Sequence, residues 1–80
     1  MEINVRAFGI AKDILGFRER QMMVEQGETI LGFKERLLSE YPDFERLVSL
    51  AFAVNEAYCS EDFVLQALDE VVIIPPVSGG

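Results

Sequence analysis

Few side chains in this sequence could do chemistry by themselves. The chain contains no histidine and a single cysteine, Cys59, so it lacks the commonest general base and the triads built on it. One thiol cannot form an internal disulfide, and one thiol without histidine cannot build a zinc site. We therefore interpret Cys59 as a small, half-buried apolar residue rather than a nucleophile.

The C-terminal segment offers a different reactive group, the carboxylate of the chain itself. An apolar run of strand length, Val71–Ile74, is followed by a candidate tail of six residues: Pro75, Pro76, Val77, Ser78, Gly79 and Gly80. The prolines fix φ near the polyproline value and favour an extended path. The last four residues then reach about 13 Å, at ~3.3 Å per residue. Because glycine has no Cβ, a narrow channel can close around the tip and receive the α-carboxylate of Gly80.

The composition describes one small acidic domain. Of its 80 residues, 50% are hydrophobic and 26% are charged, which is ordinary for a folded chain. The net charge of −7 disfavours nucleic acid and anionic membranes and favours a basic protein partner. The carboxylates show no metal or acid/base spacing, so we interpret them as solvated surface. The sequence therefore argues against catalysis by this chain alone.

Nothing in the sequence suggests export or membrane insertion. No apolar run approaches the ~20 residues of a membrane-spanning helix. Met1–Val5 alternate between apolar and polar residues, as in a strand, and lack the basic start of a signal peptide. We expect a cytoplasmic protein.

Two strands and a short helix are predicted in the first part of the chain. Glu2–Phe8 alternate, with Phe8 out of step with its polar neighbours, as spare core or as part of an exposed apolar patch. Ala11–Gly16 predict a helical turn that Gly16 ends. Glu19–Glu25 predict a second strand, antiparallel to the first because the connection is short.

The middle of the chain predicts one long helix. Thr29 is a good N-cap, and Pro42 ends the helix. The apolar positions fall on one helical face, which we expect to pack on the sheet: Ile30, Phe33, Leu37, Leu38 and Tyr41. Asp43–Leu50 form a connector with room for one more helical turn.

The last part predicts a hairpin and a central strand. Ala51–Val54 and Ala57–Tyr58 flank a tight turn at Asn55 and Glu56. Glu61–Gln66 are irregular, with room for a brief edge strand. Val71–Ile74 are apolar on both faces, as in a central strand paired in parallel with the first strand.

These elements predict an α+β, ubiquitin-like β-grasp fold: a mixed sheet with one main helix across one face. We expect residues 1–76 to form the domain and residues 77–80 a flexible tail. One helix covers only one face. The other face is therefore a predicted docking site, with Phe8 and the outward member of the Ile73 and Ile74 pair as partner-binding residues.

Several stretches resemble the molybdopterin synthase small subunit, a sulfur carrier: Ala7–Gly16, Ala53–Glu56, Leu68–Val71 and above all Ile74–Gly80. The resemblance covers the whole chain. Two positions depart from that family. Leu68 stands where a glycine is usual, which argues against positive φ there. Ile74 stands where an aromatic residue often precedes the prolines.

The resemblance implies a mechanism. An ATP-dependent activating enzyme would join Gly80 to AMP, and persulfide sulfur from a sulfurtransferase or cysteine desulfurase would displace AMP to leave a thiocarboxylate. The tail, Pro75–Gly79, would thread into the large synthase subunit, where the sulfur attacks cyclic pyranopterin monophosphate to build the dithiolene. The resemblance implies a heterotetramer of two small and two large chains. It also implies catalytic side chains on the large subunit, and ATP consumed with no permanently bound cofactor.

Two alternatives remain open. A related carrier for thiamine synthesis or tRNA thiolation would share the β-grasp fold and the Gly-Gly end, although the Pro-Pro pair and residues 7–16 argue against the thiamine carriers. A ubiquitin-like protein modifier, of a different class, would instead form an isopeptide bond between Gly80 and a target lysine.

Overall fold

The described part of the chain folds as a five-stranded mixed sheet with one long helix across one face. A mixed sheet with one main helix is what the sequence predicts. The computed structural model describes residues 1–47 and 50–75. The strands are arranged in the order β2-β1-β5-β3-β4. The elements in chain order are β1 (Glu2–Ala7), α1 (Gly9–Leu15), β2 (Glu19–Met23), α2 (Ile30–Glu40), a 3-10 helix (Pro42–Arg46), β3 (Ala51–Val54), β4 (Ala57–Tyr58) and β5 (Glu70–Ile74).

Strand β5 occupies the centre of the sheet, which explains why its sequence is apolar on both faces. It pairs in parallel with β1, with Val5 opposite Val71 and Ala7 opposite Ile73. On its other side it pairs antiparallel with β3. Strand β1 in turn pairs antiparallel with β2. The predicted central position and the parallel pairing of the first and last strands are confirmed.

Helix α2 supplies the middle of the core. The Thr29 hydroxyl accepts a hydrogen bond from the Gly32 amide at 3.1 Å, the predicted N-cap. Phe33 is fully buried and meets Phe52 of β3 edge to face, with ring centroids 6.2 Å apart. Leu38 and Tyr41 pack against this core while partly exposed. The predicted helical stripe is therefore core-facing.

The described structure has two tight turns with positive φ at residues other than glycine. Asn55 and Glu56 have φ of 50° and 73°, the backbone of a two-residue hairpin turn. Leu68, before β5, has φ of 67°. The expectation that a leucine there argues against positive φ is wrong.

Hydrogen bonds explain the conformation of Leu68. Its amide donates to the Glu2 carbonyl at 2.7 Å, and the following residue, Asp69, accepts from the Gln66 amide at 2.8 Å. These contacts hold the chain reversal that starts β5. A left-handed conformation costs a non-glycine residue about 1–2 kcal/mol, which the surrounding bonds offset.

Candidate functional site

The candidate site begins where β5 ends, at the edge of the sheet from which the predicted tail continues. Because β5 is parallel to β1 and Ile73 lies opposite Ala7, both strands end at the same edge. Pro75 lies against the start of α1. Its Cγ is 3.8 Å from where a Cβ on Gly9 would stand, and Gly9 itself has φ of 56°. The tail therefore starts beside the corner formed by Phe8 and Gly9.

Most of the predicted tail lies outside the described residues: Pro76, Val77, Ser78, Gly79 and Gly80. The extended path of these residues, their flexibility and the boundary of the domain at residue 76 stay predictions. The structure places the residues that lead into the tail. Ile74 is half-buried at the end of β5, and Pro75 is half-buried beside it.

The sheet face opposite α2, called here the open face, is defined by the strand registers. Side chains alternate along a strand and face the same way as their cross-strand partners. Arg6 lies opposite Val72, Ala51 opposite Ile74, and Ala53 opposite Tyr58. The apolar members of the open face are Phe8, Met23, Ala51, Ala53, Tyr58, Val72 and Ile74.

Phe8 belongs to this face and not to the core. It follows β1 with extended backbone, φ −130° and ψ 160°, so it continues the strand alternation on the same side as Arg6. Half of its surface is exposed, and Tyr58 is 76% exposed. The open face thus carries two exposed aromatic rings and the half-buried Ile74, at the edge from which the tail leaves.

Ile73, also predicted as a partner-binding residue, is fully buried in the core, so it is not available to a partner. The physical reason is the pleat. Ile73 pairs with Ala7 and Phe52 on the helix side, which turns Ile74 to the open face. Val72, Tyr58 and Met23 also lie on the open face and were not predicted from the sequence. Strand alternation could have identified Val72, because it lies two residues before Ile74 and therefore on the same face. Tyr58 is placed on that face by its pairing with Ala53 in the hairpin, which the sequence does not give.

Side-chain hydrogen bonds of Asn55 and Asp69, called here the lock, hold the other end of β5. The Asn55 side-chain amide donates to Asp69 Oδ1 at 2.9 Å, and Asn55 Oδ1 accepts from the Glu70 amide at 3.0 Å. Asp69 is the buried polar residue of the described structure, and both of its carboxylate oxygens accept hydrogen bonds. The lock joins the β3–β4 turn to the start of β5 and so helps to position the strand that leads to the tail.

Cys59 is half-buried, as expected. Its Sγ lies 3.7 Å from the Phe52 carbonyl oxygen, to which it donates. Burial raises the pKa of the Cys59 thiol. Because the thiolate is the nucleophilic form of cysteine, this environment disfavours covalent chemistry at the one sulfur atom that could compete with the C-terminal carboxylate.

The sheet order, the helix on one face and the central last strand define the β-grasp class. Residues 5–80 match the ThiS family, and the chain belongs to that family. Among the described residues, no helix is long and apolar enough to cross a membrane.

Named relatives agree with this assignment. The chain is 32% identical over 81 residues to the molybdopterin synthase sulfur carrier subunit of Arabidopsis thaliana, a match that covers 100% of this chain and 84% of that protein. SAMP1 from Haloferax volcanii has a similar structure, with a TM-score of 0.81 at 21% identity and 100% of both chains covered. So does a chain in the complex of subunits 1 and 2 of the molybdopterin-converting factor from Helicobacter pylori, with a TM-score of 0.69 at 23% identity and 100% of both chains covered. These two structures show the shared fold.

Proposed function

We propose that this chain is the sulfur carrier subunit of a molybdopterin synthase, which carries sulfur as a thiocarboxylate on Gly80. The observation that carries the proposal is the position of the end of β5 and of Pro75, from which the tail continues. Strand β5 ends beside Phe8, at the edge of an exposed apolar face, so a protein that docks on that face receives the tail directly. The name of the Arabidopsis thaliana relative supports the sulfur chemistry.

The proposed chemistry needs activation, because a carboxylate is a poor acyl donor. An activating enzyme joins the Gly80 carboxylate to AMP and releases pyrophosphate from ATP. The terminal sulfur of a persulfide attacks the acyl carbon and AMP leaves. A thiol then cleaves the S–S bond and releases the thiocarboxylate. In the synthase, this sulfur attacks cyclic pyranopterin monophosphate, and two deliveries complete the dithiolene.

In this proposal the carrier brings the sulfur on an extended tail, and its partners carry out the catalysis. They are an ATP-dependent adenylating enzyme, a sulfurtransferase or cysteine desulfurase, and the large synthase subunit, which holds the catalytic side chains. No cofactor stays bound to the carrier. We also propose that the carrier works in the cytoplasm, together with the ATP-dependent activating enzyme.

The open face is the proposed contact with the large subunit. The Helicobacter pylori structure is a complex of two different subunits, which supports a partner of this kind, and we propose a heterotetramer of two small and two large chains. Exposed aromatic residues are enriched in protein interfaces and often dominate their binding energy. Phe8, Tyr58 and Ile74 fit that role.

The decisive experiment is intact mass spectrometry after incubation with the activating enzyme, ATP and a sulfur donor. We expect one oxygen atom exchanged for sulfur, mapped to the C-terminal peptide. The Cys59→Ser variant should be charged like the wild type, and a variant lacking Gly80 should not be charged although it folds. Sulfur found only on Cys59 would contradict the proposal. Isopeptide conjugates to lysines of other proteins would favour the modifier alternative.

A further inference from the structure

We infer that a cationic corner beside the start of the tail, formed by Lys12 and Arg18, recognises an acidic segment of the protein that docks on the open face. The inference rests on the proposed function and names the charge of the partner surface. The net charge of the chain favours a basic partner surface, whereas this corner favours an acidic segment within that surface.

The charges of the chain are unevenly distributed along the sequence. Residues 6–20 contain four cations, Arg6, Lys12, Arg18 and Arg20, and two carboxylates, which gives +2. The remaining residues contain three cations and twelve carboxylates, which gives −9. The total of −7 therefore hides a cationic region in an otherwise acidic molecule.

The cations of this region are available, whereas those elsewhere are engaged. Lys34, Arg36 and Arg46 each lie within 4.0 Å of a carboxylate oxygen. Within residues 1–47 and 50–75, none of the four cations of residues 6–20 lies in ion-pair range of a carboxylate. The guanidinium of Arg20 lies 4.3 Å from the centre of the Phe17 ring. Arg6 lies on the open face itself, opposite Val72. Lys12 and Arg18 lie outside that face and remain for a partner.

Backbone hydrogen bonds place Lys12 and Arg18 next to the open face. The Lys12 amide donates to the Phe8 carbonyl at 3.3 Å, so Lys12 lies one helical turn after Phe8. The Ala7 amide donates to the Arg18 carbonyl at 2.9 Å, so Arg18 lies beside the end of β1. A partner that covers Phe8 and receives the tail beside Gly9 also reaches both cations.

The two cations line a surface depression of about 560 Å³ with Asp13, Gly16 and Phe17. The depression is broad and open, and Asp13 places a negative charge within it. A compact, highly charged anion such as phosphate needs several converging donors, and Asp13 repels it. A protein loop bearing one or two carboxylates can instead pair with Lys12 and Arg18 while its apolar atoms cover Phe17. These features favour an acidic protein segment.

Exposed charges at the rim of an interface act mainly on the rate of association. We therefore test the double variant Lys12→Glu/Arg18→Glu by stopped-flow association with the large subunit at several salt concentrations. We expect the rate constant to fall by about tenfold or more at low salt, and the loss to shrink as salt rises. The variant Lys12→Arg/Arg18→Lys should associate like the wild type.

The matched control is Lys34→Glu/Arg46→Glu, which makes the same change in net charge at cations outside the corner. We expect its rate constant to fall much less. Thermal melts must show that both double variants are folded. Equal losses in the two double variants would mean that only net charge matters, and an unchanged rate in the corner variant would mean that the corner is not used. Either result overturns the inference.

Two further outcomes are distinct. If the wild type binds neither the large subunit nor the activating enzyme, the proposed function fails and the inference with it. If the large subunit binds normally but inorganic phosphate shifts the amide resonances of Lys12 and Arg18 and blocks association, the corner is a small-anion site. That result would overturn the assignment to a protein segment.

Discussion

The two faces of the sheet are built from the same strands but are buried to different extents. Along β5, Val71 and Ile73 are fully buried under α2, whereas Val72 and Ile74 are only half-buried on the open face. The four residues are chemically alike, and only their alternation separates them. Along β1 the alternation is sharper, because Ile3 and Val5 alternate with Asn4 and Arg6.

This difference shows that the core buries only part of the apolar surface of β5. A domain of this size needs most of its apolar surface for its own core, yet Val72, Ile74, Phe8 and Tyr58 remain on the outside. Another protein that covered this patch would remove its apolar surface from water, which would favour binding. The covered face holds the fold together, and we expect the open face to bind.

The largest effect should come from the covered face. Phe33→Ala removes a fully buried ring from α2 and its contact with Phe52, which should lower the free energy of unfolding by about 3–5 kcal/mol. In a small domain that is a large part of the total, about 5–15 kcal/mol. Urea and thermal denaturation of the free protein measure it. A melting temperature close to the wild-type value would show that α2 is not packed as described.

An intermediate effect should appear on the open face, in binding instead of stability. Phe8→Ala removes a ring that is 50% exposed, so the melting temperature should change little. Affinity for the large subunit should fall by about 2 kcal/mol if Phe8 is an interface anchor. Calorimetric titration and a melt of the free variant measure the two quantities.

Phe63→Ala is the matched control for Phe8. Phe63 is 37% exposed, but it lies beside the start of α2, where its carbonyl accepts from the Ile30 amide. We expect this variant to bind normally. Similar losses of affinity in both variants, or a loss in Phe8→Ala that accompanies unfolding, would remove Phe8 from the docking surface.

The sequence predicted those features that depend on local pattern. Alternation gave β1, the 3.6-residue period gave α2, and Gly16 ends α1 in the left-handed conformation, with φ of 82°. The boundaries were less accurate. Helix α1 begins at Gly9, two residues before the predicted start, and β2 ends at Met23, two residues before the predicted end.

Other features, which depend on the details of distant contacts, could not be predicted. The choice between Ile73 and Ile74 follows from the register of β5 against β1, and the neighbourhood of Lys12 and Arg18 follows from the way α1 folds back beside β1. For Leu68, intrinsic preference gave the wrong answer, because its amide donates a hydrogen bond to the carbonyl of Glu2, a residue remote in sequence.

The smallest effect concerns the backbone conformation of Leu68, and it should change stability without changing binding. Leu68→Gly replaces a residue at φ 67° whose side chain is 69% exposed, so little packing is lost. Glycine removes the left-handed strain of about 1–2 kcal/mol but adds chain entropy to the unfolded state, which costs about 0.5–1 kcal/mol. We expect a net gain of about 0.5–1 kcal/mol, which is a rise of a few degrees in the melting temperature at this chain length.

Leu68→Ala is the control, because it removes the side chain and keeps the strain. Its melting temperature should stay near the wild-type value, and both variants should bind the large subunit with unchanged affinity, since Leu68 lies before β5 and outside the open face. If alanine stabilises as much as glycine, the gain comes from removing an exposed leucine and not from the backbone. If Leu68→Gly melts lower than the wild type, the leucine side chain contributes packing that outweighs the strain. If its affinity falls while its stability rises, the start of β5 takes part in binding, and the division between a folding face and a binding face is incomplete.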